Sequence, residues 1–380
     1  MIYFDNAATT LPKPDVVIEA VRQSMIHHGN ANRGSHMETL DASLLLYETR
    51  IKLAKMFDLE HADHVVFTAN ATESLNIALN GLFRPGDHVI STDLEHNSVL
   101  RPLYRLEDEG VISLSFIEAD ADGNLRYDML ESLIRPETRC LVCSHASNVT
   151  GNLTDIGRLG KLAKEHGLVF LVDGAQTAGT IPIPMRQLSI DILCLTGHKG
   201  LWGPQGTGAL LINGDHYIRP FKTGGTGVQS MLRGQPDDLP TRLEAGTLNS
   251  HGIAGLSAAL DFINERGIEN IHQYEKNLMR RFLRGVKDIP AIRLYGNFEA
   301  DRTAVVSLNV STIDSAIISD VLSRDYQIAT RPGAHCAPRM HRALGTDRQG
   351  TVRFSFSIFN TEEEVDLAIE ALREIAEERL

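Results

Sequence analysis

From residue 15 to about residue 260 the chain alternates short apolar runs with stretches whose apolar residues recur at helical spacing. The runs fall at residues 64–68, 88–92, 114–117, 139–144, 169–172, 190–195 and 207–212. Short apolar runs closed by turn-forming residues predict buried strands. Their alternation with helices predicts an α/β fold with a mostly parallel central sheet flanked by helices. The run at 207–212 follows its predecessor too closely for a helical crossover, so it is expected to return antiparallel, as in a hairpin.

The pattern changes near residue 262. A long charged helical stretch over roughly 254–287 precedes apolar runs at 304–310, 327–330 and 352–357. The chain ends in a helix opened by Thr361-Glu-Glu-Glu364, a capping-box pattern, with Val365, Ala368, Ile369, Leu372 and Ile375 at helical spacing. The expected organisation is a large domain over 15–261 and a smaller C-terminal α+β domain over 262–380 that also takes in residues 1–14. A cleft between two domains is a common place for a cofactor.

Composition narrows the chemistry. With 380 residues, 42% hydrophobic and 23% charged, the chain reads as an ordinary soluble protein with a large core. A net charge of −12 argues against a nucleic-acid surface and lends nothing to binding of anionic membranes. The opening residues lack a basic, apolar leader pattern, and no apolar run approaches the length of a membrane span. Four scattered cysteines suggest a reducing, cytoplasmic setting rather than a disulfide framework. Cys140 and Cys143 share a predicted strand, where they point to opposite faces and cannot chelate one metal. Cys194 reads as a core residue. His27, His28 and His36 lack accompanying carboxylate or thiol ligands at metal spacing, so no metal site is expected.

Several candidate site residues follow directly upon predicted strands, where ligands of open α/β sheets bind. Lys199 lies in Thr196-Gly-His-Lys199-Gly and is either a solvated loop lysine or a desolvated amine suited to Schiff-base chemistry. Asp173 ends another run, either as a helix-capping acid or as the partner of a buried cation. His96 follows a third run, where its ring can lie on a planar ligand or act as acid or base. Asn70 with Glu73 marks a helix start whose first N–H groups, at Ala71 and Thr72, are suited to an anion. No Gly-x-Gly-x-x-Gly or Walker pattern is present there, which disfavours dinucleotides and ATP. Cys336 sits in the turn-rich Arg331-Pro-Gly-Ala-His-Cys336, where charge on Arg331 and His335 would favour a thiolate. Arg353 is either an edge charge or a fork for a carboxylate.

In order and spacing these segments resemble the cysteine desulfurase and selenocysteine lyase family, within the class V aminotransferase group of fold-type I pyridoxal-phosphate enzymes. The matching stretches are Asp5-Asn-Ala-Ala-Thr9, Asn70-Ala-Thr-Glu-Ser-Leu-Asn76, Glu95-His-Asn97, Ser147-Asn-Val-Thr-Gly151, Asp173-Gly-Ala-Gln176, Thr196-Gly-His-Lys199, Glu244-Ala-Gly-Thr247, Arg331-Pro-Gly-Ala-His-Cys336 and Arg353. The resemblance implies that Lys199 forms the Schiff base with pyridoxal 5′-phosphate, that Asp173 pairs with the pyridine nitrogen, and that His96 stacks on the ring. It implies that Gln176 and Asn148 contact the phenolic oxygen or its surroundings. The phosphate falls to Ala71, Thr72, Thr196 and His198, with Thr247 reaching it from the other subunit of a homodimer. Arg353, with Asn148 and Arg331 nearby, would bind the carboxylate of L-cysteine, and Cys336 would carry the sulfur as a persulfide to an acceptor protein. L-selenocysteine is the alternative substrate, and another class V lyase or aminotransferase with Cys336 uninvolved is a further alternative. One departure is visible: where the short-loop desulfurases have Arg-x-Gly-His-His-Cys-Ala, this chain has Ala334 at the first histidine.

Overall fold

The computed structural model describes residues 1–31, 34 and 36–378. Its centre is a seven-stranded sheet in the order Val65–Thr68, Gly208–Ile212, Ile192–Thr196, Val169–Asp173, Thr138–Ser144, Asp87–Thr92, Ile112–Ile117. Gly208–Ile212 runs antiparallel to both neighbours, and the other pairings are parallel. The expected antiparallel return is therefore present, and it slots between two strands that run the same way. Each of the seven runs read from sequence is a strand, with ends that move by one or two residues.

Buried strands need apolar side chains on both faces, and the alternation along Thr138–Ser144 shows how they are divided. Cys140 and Val142 join one hydrophobic cluster, and Leu141 and Cys143 join the cluster on the opposite face. Because the parallel strands point the same way, Thr68, Thr92, Ser144, Asp173 and Thr196 end along one edge of the sheet. The loops that follow those ends carry most of the residues singled out above.

The charged stretch expected over 254–287 is two helices, Ser250–Arg266 and Ile268–Val286, separated at Gly267. Gly267 has φ +80, a left-handed conformation open to glycine at little cost, so the helical pattern continues while the axis does not. The first helix packs on the central sheet's side through Ile253, Leu256, Leu260 and Ile263. The second contributes Leu278, Met279, Phe282 and Val286 to a separate core with Phe4, Phe354 and Phe356. That core lies on an antiparallel sheet in the order Val352–Ser355, Val305–Val310, Ile292–Tyr295. Ile2–Tyr3 pairs in parallel with Ile328–Ala329, which ties the chain's first residues to this core. The final helix is capped as its sequence suggests: the Glu364 N–H donates to the Thr361 hydroxyl, and the Thr361 N–H donates to the Glu364 carboxylate (both 3.2 Å). Among the described residues, no helix is long and apolar enough to cross a membrane.

Candidate active site

A cavity of about 280 Å³ opens at the sheet edge where the parallel strands end, lined by residues from five strand-to-loop junctions. It brings together Ala71, Thr72, His96, Asn148, Asp173, Gln176, Thr196, His198 and Lys199 from the positions named in the sequence. It adds Ala8, Ser98 and Ser144, which sequence reading missed. Arg353, Arg331, Cys336 and Thr247 are not on its walls.

Lys199 follows Ile192–Thr196, next to the strand that ends in Asp173. Burial lowers the pKa of its amine to about 8, Asp173 partly offsets this, and Arg353 and Arg331 reinforce it. Asp173 is itself buried, which raises its pKa; the Ala175 N–H donated to it (2.9 Å) and the charge of Lys199 pull the other way. Both groups thus occupy environments that disfavour charge, each restrained by the other.

His96 caps the helix Asn97–Asp108: its Nδ1 accepts the Ser98 N–H (3.0 Å), which leaves the proton of the neutral ring on Nε2. Burial, then the charges of Lys199, Arg331 and Arg353, lower its pKa to about 4, so the ring is neutral near pH 7. Ser98 also bonds the Thr72 hydroxyl (2.7 Å) and so joins the two helix starts at the cavity. The Asn70 side chain accepts the Glu73 N–H (3.0 Å), the expected N-cap, and the N–H groups of Ala71 and Thr72 begin a helix where no carbonyl of its own can reach them.

Three buried polar atoms of cavity residues lack partners: Thr196 Oγ1, His198 Nδ1 and Asn148 Oδ1. Buried polar groups are ordinarily bonded. The orphaned Thr196 Oγ1 and His198 Nδ1 can donate to an anion, in a cavity that also holds a helix N-terminus, whereas Asn148 Oδ1 accepts and calls for a donor on the ligand. With the buried acid Asp173 and the amine of Lys199 in the same cavity, these residues fit pyridoxal phosphate: the helix start and Thr196 would hold its phosphate, Asp173 its ring nitrogen, His96 its ring face and Lys199 its aldehyde.

The loop bearing Cys336 docks on this site from outside. The Asn97 N–H donates to the Cys336 carbonyl (2.7 Å), and the Asn148 amide donates to the His335 carbonyl (2.6 Å). His335 and Cys336 have φ +47 and +58, a strained state for two successive non-glycine residues that these bonds hold in place. Cys336 remains partly exposed. His335 corrects one expectation: its ring is buried with Nε2 on the Thr351 hydroxyl (3.0 Å), and burial pushes its pKa well below the ordinary value. It is a neutral anchor for the loop, so the fixed positive charge nearby belongs to Arg331 and not to His335.

Arg353 is fully buried behind Asn148, donating to the Asn148 carbonyl and to Asp5 (3.0 Å each). Its backbone is bonded both ways to Arg331. Thr247 lies elsewhere, on a separate cavity of about 310 Å³ with Tyr47, Arg50 and Glu244. Its loop is fixed by Glu244, whose two oxygens accept both terminal nitrogens of Arg50 (2.8 Å each) and the Phe67 N–H (2.6 Å).

The aminotransferase class-V family model matches residues 2–367. The chain belongs to this family. Among its relatives it is 36% identical to a probable cysteine desulfurase of Pyrococcus abyssi, over 99% of this chain and 94% of that one. It is 32% identical to a cysteine desulfurase of Salmonella agona, over 99% and 93%. The fold of this class V chain superposes on the apo structure of cysteine desulfurase from Thermococcus onnurineus NA1 with a TM-score of 0.93 and 35% identity, covering 99% of this chain and 95% of that one. For the cysteine desulfurase CsdA of Escherichia coli the TM-score is 0.90 with 30% identity, covering 100% and 95%.

Proposed function

We propose that this class V protein is a pyridoxal-phosphate-dependent cysteine desulfurase that converts L-cysteine to L-alanine and passes the sulfur to Cys336 as a persulfide. The observation that carries the reading is Lys199 beside Asp173 on a cavity with the orphaned Thr196 and His198 side chains, and the Cys336 loop tied to the cavity residue Asn148 and to Asn97, next to His96.

The bound cofactor supplies an electron sink conjugated to the substrate Cα. Asp173 would hold the ring-nitrogen proton, and neutral His96 would lie against the ring. Thr196, His198 and the Ala71 and Thr72 N–H groups would hold the phosphate. Arg353 fixes the substrate carboxylate. Lys199 Nζ removes the Cα proton; an amine titrating near 8 is a far better base at neutral pH than an ordinary lysine. Cys336 Sγ, as thiolate, attacks the substrate sulfur: the Sγ–S bond forms, the S–Cβ bond breaks, and its electron pair stays on the three-carbon fragment. Two protonations of that fragment complete L-alanine, so L-cysteine and one thiol become L-alanine and one persulfide.

A second copy of the chain completes the site through Thr247. An exposed stripe of Leu40, Leu44, Tyr47 and Ile51, spaced along one face of the helix Met37–Met56, supports this pairing. All four cysteines are free thiols, in keeping with a cytoplasmic enzyme whose persulfide is collected by an acceptor protein.

The test is a panel of L-cysteine, L-selenocysteine, cysteine sulfinate and L-alanine on the wild type and Cys336→Ser. Sulfide release from L-cysteine is expected to stop in the variant while cofactor absorbance is kept. Unchanged L-cysteine turnover would reject the persulfide route.

A further inference from the structure

We propose that Asp5 is a displaceable counter-ion that occupies the fork of Arg353 until the substrate carboxylate takes its place, so that Asp5 sets the affinity for α-carboxylates. This rests on the reading of Arg353 as the carboxylate site. The pairing differs from the bidentate arginine forks among the described residues, although Arg339 with Asp93 is likewise held through one nitrogen and one oxygen (2.6 Å). Arg50 with Glu244, and Arg281 with Asp366, each engage two guanidinium nitrogens with two carboxylate oxygens, at 2.8 Å and 2.6 Å respectively. Arg353 instead donates only Nη2 to Asp5, through one oxygen, and its neighbouring Nε is buried without a partner. The Nε–Nη2 edge is therefore half filled. A carboxylate with two free oxygens satisfies both positions, which a buried guanidinium strongly favours.

Asp5 is built to yield. The Arg353 side chain is wholly buried, whereas that of Asp5 keeps 22% of its surface exposed, so its charge can return to water when displaced. The segment around it is anchored by its backbone: the Asp5 carbonyl accepts the Ala8 N–H (3.1 Å), and Ala8 lines the cofactor cavity. The carboxylate is thus free to move while the chain stays in place. Without it, a guanidinium in the dry interior, with Arg331 and Lys199 close by, would stand uncompensated in the ligand-free enzyme. The electrostatic consequence is competition between two carboxylates for one cation.

The experiment titrates the holoenzyme with the product L-alanine and with L-alaninol, which lacks the carboxylate, following the cofactor's absorbance, and measures KM and kcat for L-cysteine. In Asp5→Asn the L-alanine Kd and L-cysteine KM are expected to fall by about threefold or more, through loss of a competing charge, with L-alaninol affinity unmoved. Weaker L-alanine binding in Asp5→Asn, as when Asp5 only holds Arg353 in place, would overturn the proposal. So would an equal change for L-alaninol. Asp5→Glu keeps the charge and guards against misfolding of the neutral variant; tightening of L-alanine in that variant also overturns it. Arg353→Ala separates the two readings: it should erase the preference for L-alanine over L-alaninol, and if that preference persists the carboxylate site itself is misassigned.

Discussion

Asp173 and Lys199 follow one another across two adjacent parallel strands, and each restrains the shift that burial imposes on the other. The lysine is held at about 8 because Asp173 stands beside it; burial alone would lower it further. Removing the acid's charge should therefore make the amine easier to deprotonate. At pH 7 an amine of pKa about 8 is roughly one-tenth free base, against less than about one part in a thousand for an unperturbed lysine. Capture of pyridoxal phosphate by the apoenzyme, which uses the free amine, is expected to accelerate as pH rises through 8. In Asp173→Asn that midpoint should move to lower pH, while turnover of the loaded variant falls by about a hundredfold or more because the ring-nitrogen proton loses its partner. Stopped-flow absorbance across a pH series reads the first, and L-alanine formation the second. A midpoint that stays or rises in Asp173→Asn would show that the two groups are not coupled.

Thr196 offers a cleaner separation of fold from ligand. Its hydroxyl is buried without a partner, a cost to the free protein that a bound phosphate would remove. Thr196→Val keeps the shape and deletes the orphan. The apoenzyme should be as stable as the wild type or slightly more so, whereas cofactor affinity should drop by about 1 kcal/mol, roughly fivefold. Thermal unfolding of the two forms, with and without pyridoxal phosphate, measures both. Equal cofactor affinity in the variant would remove Thr196 from the phosphate site.

Much of this was legible in the chain, and the exceptions have identifiable causes. The central strands declare themselves because a strand buried on both faces is a continuous apolar run with polar punctuation. Ile292–Tyr295 escaped because Arg293 interrupts it, with two of its residues only half-buried. The break at Gly267 was hidden because helical spacing continues across it. Lys199, Asp173 and His96 stand out because they follow strands. Ser98 is an ordinary polar residue of a helix's first turn, and its link to His96 and Thr72 exists only in three dimensions. His335 misled for a related reason: its neighbours in sequence are a charged, turn-rich loop, yet its ring turns inward to Thr351.

Buried histidines give the fold an acid limit. His145 bonds the Thr177 hydroxyl (2.8 Å), and burial lowers its pKa from 6.5 to about 4. Above 6.5 neither the folded nor the unfolded chain protonates this ring. Between 6.5 and 4 the unfolded chain takes up a proton that the folded chain refuses, so stability falls as pH falls through that window. His96 and His198, also lowered to about 4, act in the same direction but are partly exposed and contribute less. Urea unfolding at intervals from pH 7 to pH 4 should show this slope, and His145→Gln, which cannot titrate, should flatten it. An identical slope in the variant would assign the acid sensitivity to other groups.

The Arg50–Glu244 pair tests how the Thr247 loop is held. Both side chains are only 8% exposed, and Glu244 also accepts the Phe67 N–H while the Arg50 guanidinium lies over the Phe67 ring at 4.3 Å. Glu244→Ala would leave a buried guanidinium without its counter-charge, bonded only to the Val65 carbonyl, and the buried Phe67 N–H without its acceptor. Stranding one half of such a pair costs about 3–5 kcal/mol, far more than an exposed ion pair is worth. A matching loss in urea unfolding is expected. Glu244→Gln keeps an acceptor for the Phe67 N–H and removes only the charge, so its loss should be smaller. Because Thr247 is three residues away, cofactor affinity should fall in both variants if that threonine serves a phosphate. A destabilised Glu244→Ala that binds pyridoxal phosphate as tightly as the wild type would confine the pair to a structural role and detach Thr247 from the site.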